Sequence, residues 1–260
     1  MVSRYEQSNN TVELIQNTPQ DLKLFQAYKL EKLNFKILEL KNLDYKYPSS
    51  KKVIIEDCNL EISRGDTIGI KGKTGEGKST LINLIMGLIK PSKGQIKVNG
   101  TDINDNKEEM KLIQWRKSIA HVPQFIFISD ISIIENIAFG EKIKDINFDK
   151  LVFCCKAAQI WDFIEPSEKG LYTKVGERGI KLSGGQIQRM GIARALYRDA
   201  EILILDEATS ALDQKTESKV IESIRNYKKN LTVIAISHRL STLSGYDRIL
   251  RLHNKTIYND

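Results

Sequence analysis

Eight residues, Gly72-Lys73-Thr74-Gly75-Glu76-Gly77-Lys78-Ser79, constrain this chain more than any other stretch. They follow a short apolar run at 67–71 and open a segment at 78–89 with Leu81, Leu84, Ile85 and Leu88 at helical spacing. Strand, glycine-rich loop and helix in that order make a phosphate-binding loop. Glycines let the backbone turn tightly enough to aim N–H groups at phosphate oxygens, and the start of the helix adds attraction for an anion. Lys78 can reach the β- and γ-phosphates, Ser79 offers a hydroxyl to Mg²⁺, and Thr80 completes the contacting set. A glycine turn with a solvated lysine would account for the loop, but not for the strand and helix on either side of it.

Such a loop belongs to an α/β core, and the remaining apolar runs fit one. Residues 119–122, 202–205 and 231–236 are short and rich in Ile, Leu or Val, as strands buried on both faces are. Phe35, Ile37, Leu40, Leu43 and Tyr45 alternate instead, Pro48-Ser49-Ser50 breaks the pattern, and residues 53–62 alternate again, predicting two antiparallel strands. No comparable strand occurs between Phe125 and Arg198, whereas 149–161 and 185–197 read as helices. The expected fold is an α/β P-loop core with a parallel sheet, an antiparallel β subdomain and a helical subdomain inserted at about 125–198. Residues 1–33 are polar, with a weak amphipathic pattern through Leu22, Phe25, Leu30 and Leu33, and read as a linker or arm preceding a main domain at 34–260.

Composition narrows the setting. At 260 residues, 41% hydrophobic and 28% charged, the chain has the make-up of a folded globular protein. Its formal charge of +7 suits a phosphate ligand, an anionic membrane face or nucleic acid equally well. The longest mostly apolar stretch, 81–89, is interrupted by Asn83 and falls far short of the ~20 residues a membrane helix needs. Met1 to Asn10 lacks the basic-then-apolar pattern of a secretory signal, and Cys58, Cys154 and Cys155 form no CxxC pair. These features predict a reduced, cytosolic environment.

Two further motifs carry chemistry. The apolar run Ile202-Leu203-Ile204-Leu205 ends in Asp206 and Glu207, at the strand end where an open α/β sheet presents its ligand. Asp206 can hold a metal, and Glu207, pointing elsewhere, can orient or deprotonate a water. Leu182-Ser183-Gly184-Gly185-Gln186 precedes a helix with Ile187, Met190 and Ala193 on one side, a second helix start able to hold an anion.

From about Phe35 to Asp247 the ordered set of motifs resembles the ATP-binding-cassette family. The resemblance implies that Gly72 to Ser79 is the Walker A loop, that Ile202 to Asp206 is Walker B with Glu207 as base, and that Leu182 to Gln186 is the signature. It further implies that Tyr47 in Tyr45-Lys46-Tyr47-Pro48 stacks on adenine and that Gln124 belongs to the glutamine loop, its amide able to ligate Mg²⁺ or the attacking water. Ser210-Ala211-Leu212-Asp213 matches the D-loop, and His238, in Ser237-His238-Arg239, matches the switch histidine that donates to the γ-phosphate. His121 and His253 read as structural histidines. ATP and Mg²⁺ are the implied cofactors.

In this family the signature caps the γ-phosphate bound by a partner subunit, so the resemblance implies a head-to-tail homodimer around two ATP molecules. Thr173-Lys174-Val175-Gly176-Glu177-Arg178-Gly179 looks like the loop by which exporter-type cassettes touch their membrane domains. The arm before Phe35 is similar to the linker of fused half-transporters. The implied partner is therefore a transmembrane domain, not nucleic acid, with the chain peripheral to the cytoplasmic face of a membrane, the inner membrane if bacterial. The family's glycine turn and terminal helix after Asp247-Arg248-Ile249-Leu250 are replaced by His253-Asn254-Lys255-Thr256-Ile257-Tyr258, so no C-terminal regulatory extension is expected. A soluble cassette acting on ribosomes or DNA is the alternative. It would call for a coiled coil between Gly77 and Ser183 or for a second cassette copy, and the sequence contains neither. A nucleotide sensor without hydrolysis would want Glu207 or His238 replaced.

Overall fold

The computed structural model describes residues 31–105, 109–243 and 245–259. The expected arm therefore lies almost entirely outside the described residues. Among the described residues ten strands form two sheets. The first is antiparallel and runs β2 (Val53–Ser63), β1 (Ile37–Lys46), β4 (Lys93–Val98), β5 (Thr101–Asp102). The second runs β10 (Thr256–Asn259), β9 (Arg248–His253), β3 (Thr67–Lys71), β8 (Thr232–Ile236), β7 (Ile202–Asp206), β6 (Ile119–Val122). All its pairings are parallel except β9 with β10.

The inner strands read as unbroken apolar runs because the second sheet separates two cores. Along β7, Ile202 and Ile204 enter one core while Leu203 and Leu205 enter the other. In β8, Ile234 and Ile236 face the first and Val233 and Ala235 the second. Side chains alternate faces with period two, so burial on both sides demands an apolar residue at every position.

The first core lies under the antiparallel sheet and takes in Phe35, Trp115 and Leu81. Trp115, on α2 (Glu109–Lys117), is fully buried and donates its indole N–H to the Ile85 carbonyl at 2.7 Å. That bond satisfies both the ring nitrogen and a carbonyl near the end of α1 (Lys78–Ile85). Helix α1 is shorter than the periodicity to residue 89 suggests. Gly87, with φ +66°, ends it: its N–H reaches the Leu84 carbonyl, and the Leu88 N–H reaches that of Asn83. This left-handed stop closes the helix before its apolar spacing runs out.

The second core lies beneath the helices inserted between β6 and β7, joined by α7 (Gln214–Tyr227). In chain order the insertion carries α3 (Ile133–Ile137), α4 (Phe148–Ala157), α5 (Trp161–Ile164) and α6 (Gly184–Tyr197). Among the described residues its only strand-like pairing is a single bridge between Ser132 and Lys174. The run expected as one helix over 149–161 is two, broken at Gln159, whose φ is +56°. The antiparallel sheet has four strands where two were expected. The added β4 contributes only Ile96 and Val98 to the core, too few apolar residues to announce a strand. A short helix α8 (Leu240–Leu243) precedes β9, and β9 turns into β10 through Asn254 and Lys255, both at positive φ, as a two-residue hairpin requires.

Candidate active site

Parallel register carries the site. In the sheet order β3-β8-β7-β6, Asp206 stands beside Ile236 and Val122 beside Leu205, so three strand ends lie at one edge. Gln124 follows β6 by two residues, Glu207 follows β7 by one and His238 follows β8 by two. They meet as a result. Gln124 Nε2 donates to Glu207 Oε2 at 2.8 Å, and His238 Nε2 lies 2.7 Å from Glu207 Oε1. Glu207 holds φ +50°, a left-handed conformation uncommon for a residue with a side chain, and its N–H donates to the Ile236 carbonyl. The Glu207 carboxylate takes Gln124 and His238 as partners, while that of Asp206 takes Ser79.

The phosphate loop closes the other side. Lys78 is buried, and its ammonium donates to the Gly72 and Lys73 carbonyls at 2.8 and 2.9 Å, curling the loop around its own positive charge. Burial lowers the Lys78 pKa, while Glu207, Glu76 and Asp206 work to restore it. Tyr47, Ile54, Thr74, Gly75, Gly77, Lys78, Ser79, Thr80, Gln124, Glu207 and His238 line one open cleft of about 510 Å³. The Tyr47 ring, 40% exposed, packs edge-on against Tyr45, and its hydroxyl lies 3.0 Å from Thr80 Oγ1.

Ser79 Oγ donates to Asp206 Oδ2 at 3.5 Å, a hydroxyl and a carboxylate facing each other across the loop. Burial pushes the Asp206 carboxyl above its usual range, with Glu207 adding to the shift against His121, Ser79 and Lys78. A half-buried carboxylate beside a hydroxyl is a hard-oxygen donor pair of the kind Mg²⁺ takes when phosphates and waters supply the rest. Among the described residues no group of three or more His, Cys, Asp or Glu side chains gathers as a metal site by itself. His121, on β6, is within electrostatic reach of Asp206, and its Nε2 is buried without a hydrogen-bond partner.

The signature residues do not line this cleft. Ser183 caps α6 in a reciprocal box: its hydroxyl accepts from the Gln186 N–H at 3.2 Å, and the Gln186 side chain accepts from the Ser183 N–H at 2.7 Å. Gly184 and Gly185 lie against Ala211 and Leu212 of the D-loop. Asp213 is exposed and caps α7, accepting from the Thr216 N–H, and this capping holds its carboxyl below the usual range. Ser183, Gly184 and Asp213 are exposed, Gly185 and Gln186 partly so, and all five lie outside the cleft.

Two contributors are not evident from the motifs. Gln188 accepts from the Ala211 N–H at 2.8 Å and lies 3.0 Å from Ser210 Oγ, fastening the D-loop to α6. Arg239 donates to the Ser210 and Leu212 carbonyls, fastening the same loop to the residue after His238. His253, read from the sequence as a structural histidine, places its Nδ1 3.1 Å from Glu76 Oε1 of the glycine-rich loop. A carboxylate inside an anion-binding loop was the one sequence signal that some partner must hold it.

The family model described as "ABC transporter" matches residues 55–210. The chain is 38% identical over 220 residues to the putative multidrug export ATP-binding/permease protein YgaD of Bacillus subtilis, covering 85% of this chain and 37% of that protein. It is 41% identical over 224 residues to the alpha-hemolysin translocation ATP-binding protein HlyB of Escherichia coli O157:H7, covering 86% and 31%. A solved structure of a bacterial Atm1-family ABC exporter with ATP bound superposes with a TM-score of 0.79 at 34% identity, covering 88% of this chain and 39% of that one. The chain therefore spans between about a third and two fifths of these relatives. Among the described residues no helix is long and apolar enough to cross a membrane. With the match covering more than half the chain and the same α/β core with its helical insertion in place, this protein belongs to the ABC transporter family.

Proposed function

We propose that the chain binds ATP with Mg²⁺ and hydrolyses it as the nucleotide-binding domain of an exporter. One observation carries the reading: three strand ends and the phosphate loop deliver Lys78, Ser79, Gln124, Glu207 and His238 to a single cleft. Lys78 and the loop N–H groups hold the β- and γ-phosphates; Ser79 and Asp206, with Gln124, hold Mg²⁺, which supplies charge neutralisation on the phosphate oxygens. Glu207 orients and deprotonates the attacking water, and His238 donates to the γ-phosphate. Tyr47 stacks on the base at the mouth of the cleft. The backbone N–H groups of 72–80, with the side chains of Thr74 and Thr80, complete the cradle.

The signature surface of Ser183, Gly184, Gly185 and Gln186, with Asp213 beside it, is assigned to a second copy of the chain, closing over that copy's ATP. On this reading residues 1–33 are a linker, 34–260 the ATPase domain and 125–198 its helical subdomain. The partner is a transmembrane domain, and the chain sits on the cytoplasmic face of the membrane. The relatives named are export and translocation proteins, which supports transport over a role on ribosomes or nucleic acid. Steady-state phosphate release by the wild-type chain and by Glu207→Gln tests the assignment. Mg-dependent turnover lost in the variant is expected, and equal rates would refute it.

A further inference from the structure

Glu76 is the odd residue of the phosphate loop. It places a negative charge in a segment whose N–H groups face a polyanion, where a free carboxylate would repel the ligand. Of residues 74–80, Glu76 alone does not line the 510 Å³ cleft. It faces a second cleft of about 480 Å³, shared with Gly72, Lys73, His238 and His253.

Two bonds hold it there. Glu76 Oε2 accepts from the Lys73 N–H at 2.7 Å, bracing the loop internally, and Oε1 lies 3.1 Å from His253 Nδ1, 177 positions away in the chain. Burial works to raise the Glu76 pKa, but the His253 ring and the Lys73 N–H outweigh it and keep the carboxyl below its usual range. The approach of the C-terminal strand is built in. Lys71 of β3 pairs in parallel with Arg251 of β9, and a Cβ on Gly72 would stand 2.7 Å from the Leu252 carbonyl. Only glycine lets β9 come so near, and the next residue after Leu252 is His253.

We propose that His253 is a positioning residue for nucleotide binding, holding the Glu76 carboxylate out of the phosphate site and the loop in its anion-accepting shape. The inference rests on the nucleotide reading of the cleft above. His253 is about half exposed and Glu76 largely covered, so solvent screens the pair and its effect is moderate.

Equilibrium binding of a fluorescent ATP analogue with Mg²⁺ to the full chain tests it, comparing wild type, His253→Ala, His253→Asn, Glu76→Ala and the double variant Glu76→Ala/His253→Ala. His253→Ala should weaken binding about threefold to tenfold, whereas His253→Asn, with an amide nitrogen near the place of Nδ1, should stay close to wild type. In the Glu76→Ala background the His253→Ala change should cost nothing further. Wild-type affinity in His253→Ala, or the same loss with and without Glu76, overturns the proposal. A wild-type chain that binds no Mg-ATP overturns the nucleotide reading itself.

Discussion

Glu207 is held by two side chains and a strained backbone turn, and that arrangement determines what its loss should do. Glu207→Gln keeps the size of the side chain and an acceptor for Gln124, so the cleft keeps its shape while the carboxylate proposed as the base is gone. We expect ATP binding to persist and turnover to fall by ~10²- to 10⁴-fold, read by steady-state phosphate release beside equilibrium binding. Lys78 behaves differently. Its ammonium is the buried positive charge of the loop and also tethers the Gly72 and Lys73 carbonyls. Lys78→Ala should therefore weaken ATP binding itself, by roughly ten- to a hundredfold, the scale for losing charge-assisted hydrogen bonds. A variant that binds like wild type would show that the loop does not cradle phosphate.

At the scale of elements, α6 is where the signature surface meets the segment that follows Gln124. Arg194 donates through Nε to the Asn136 carbonyl at 2.7 Å and through Nη1 to the Phe127 carbonyl at 2.9 Å. Asn136 is fully buried; its amide donates to the Ser129 and Ser132 carbonyls and accepts from the Ser129 N–H. This buried polar cluster ties α3 and the loop before it to α6. Asn136→Ala would leave several of those groups unpaired away from water, at a cost of about 1–3 kcal/mol. Chemical denaturation should show that loss as a lower midpoint with an unchanged slope. An unaltered midpoint would mean the cluster contributes nothing net.

At the scale of the whole molecule, the phosphate cleft and the signature surface are distinct places on one chain. On the proposed reading the signature surface closes over the ATP of a second copy. Glu207→Gln protein should become dimeric on adding Mg-ATP, because blocked hydrolysis preserves the bridging ligand. Adding Ser183→Arg should abolish the dimer while each monomer still binds ATP, since the long side chain fills the space of the γ-phosphate. Sedimentation velocity with and without nucleotide reads both. A Glu207→Gln chain that stays monomeric at saturating Mg-ATP would count against an autonomous homodimer.

Much was legible in the sequence because each motif is local. The phosphate loop, the acidic strand end and the capped Ser183 helix are contiguous strings whose chemistry needs only their own backbone, and the inner strands announce themselves by burial on both faces. The helical insertion was visible as a long interval without strand patterning. What the sequence left open is contact between distant strings. Strands β4, β5, β9 and β10 carry few core residues and exist because neighbours pair with them. Gln124, Glu207 and His238 share a cleft only because β6, β7 and β8 lie side by side in parallel register, and the Glu76–His253 pair exists only because β9 docks on β3 across a glycine. Local spacing determines which groups a segment offers; sheet order, a product of burying two cores at once, decides which of them meet.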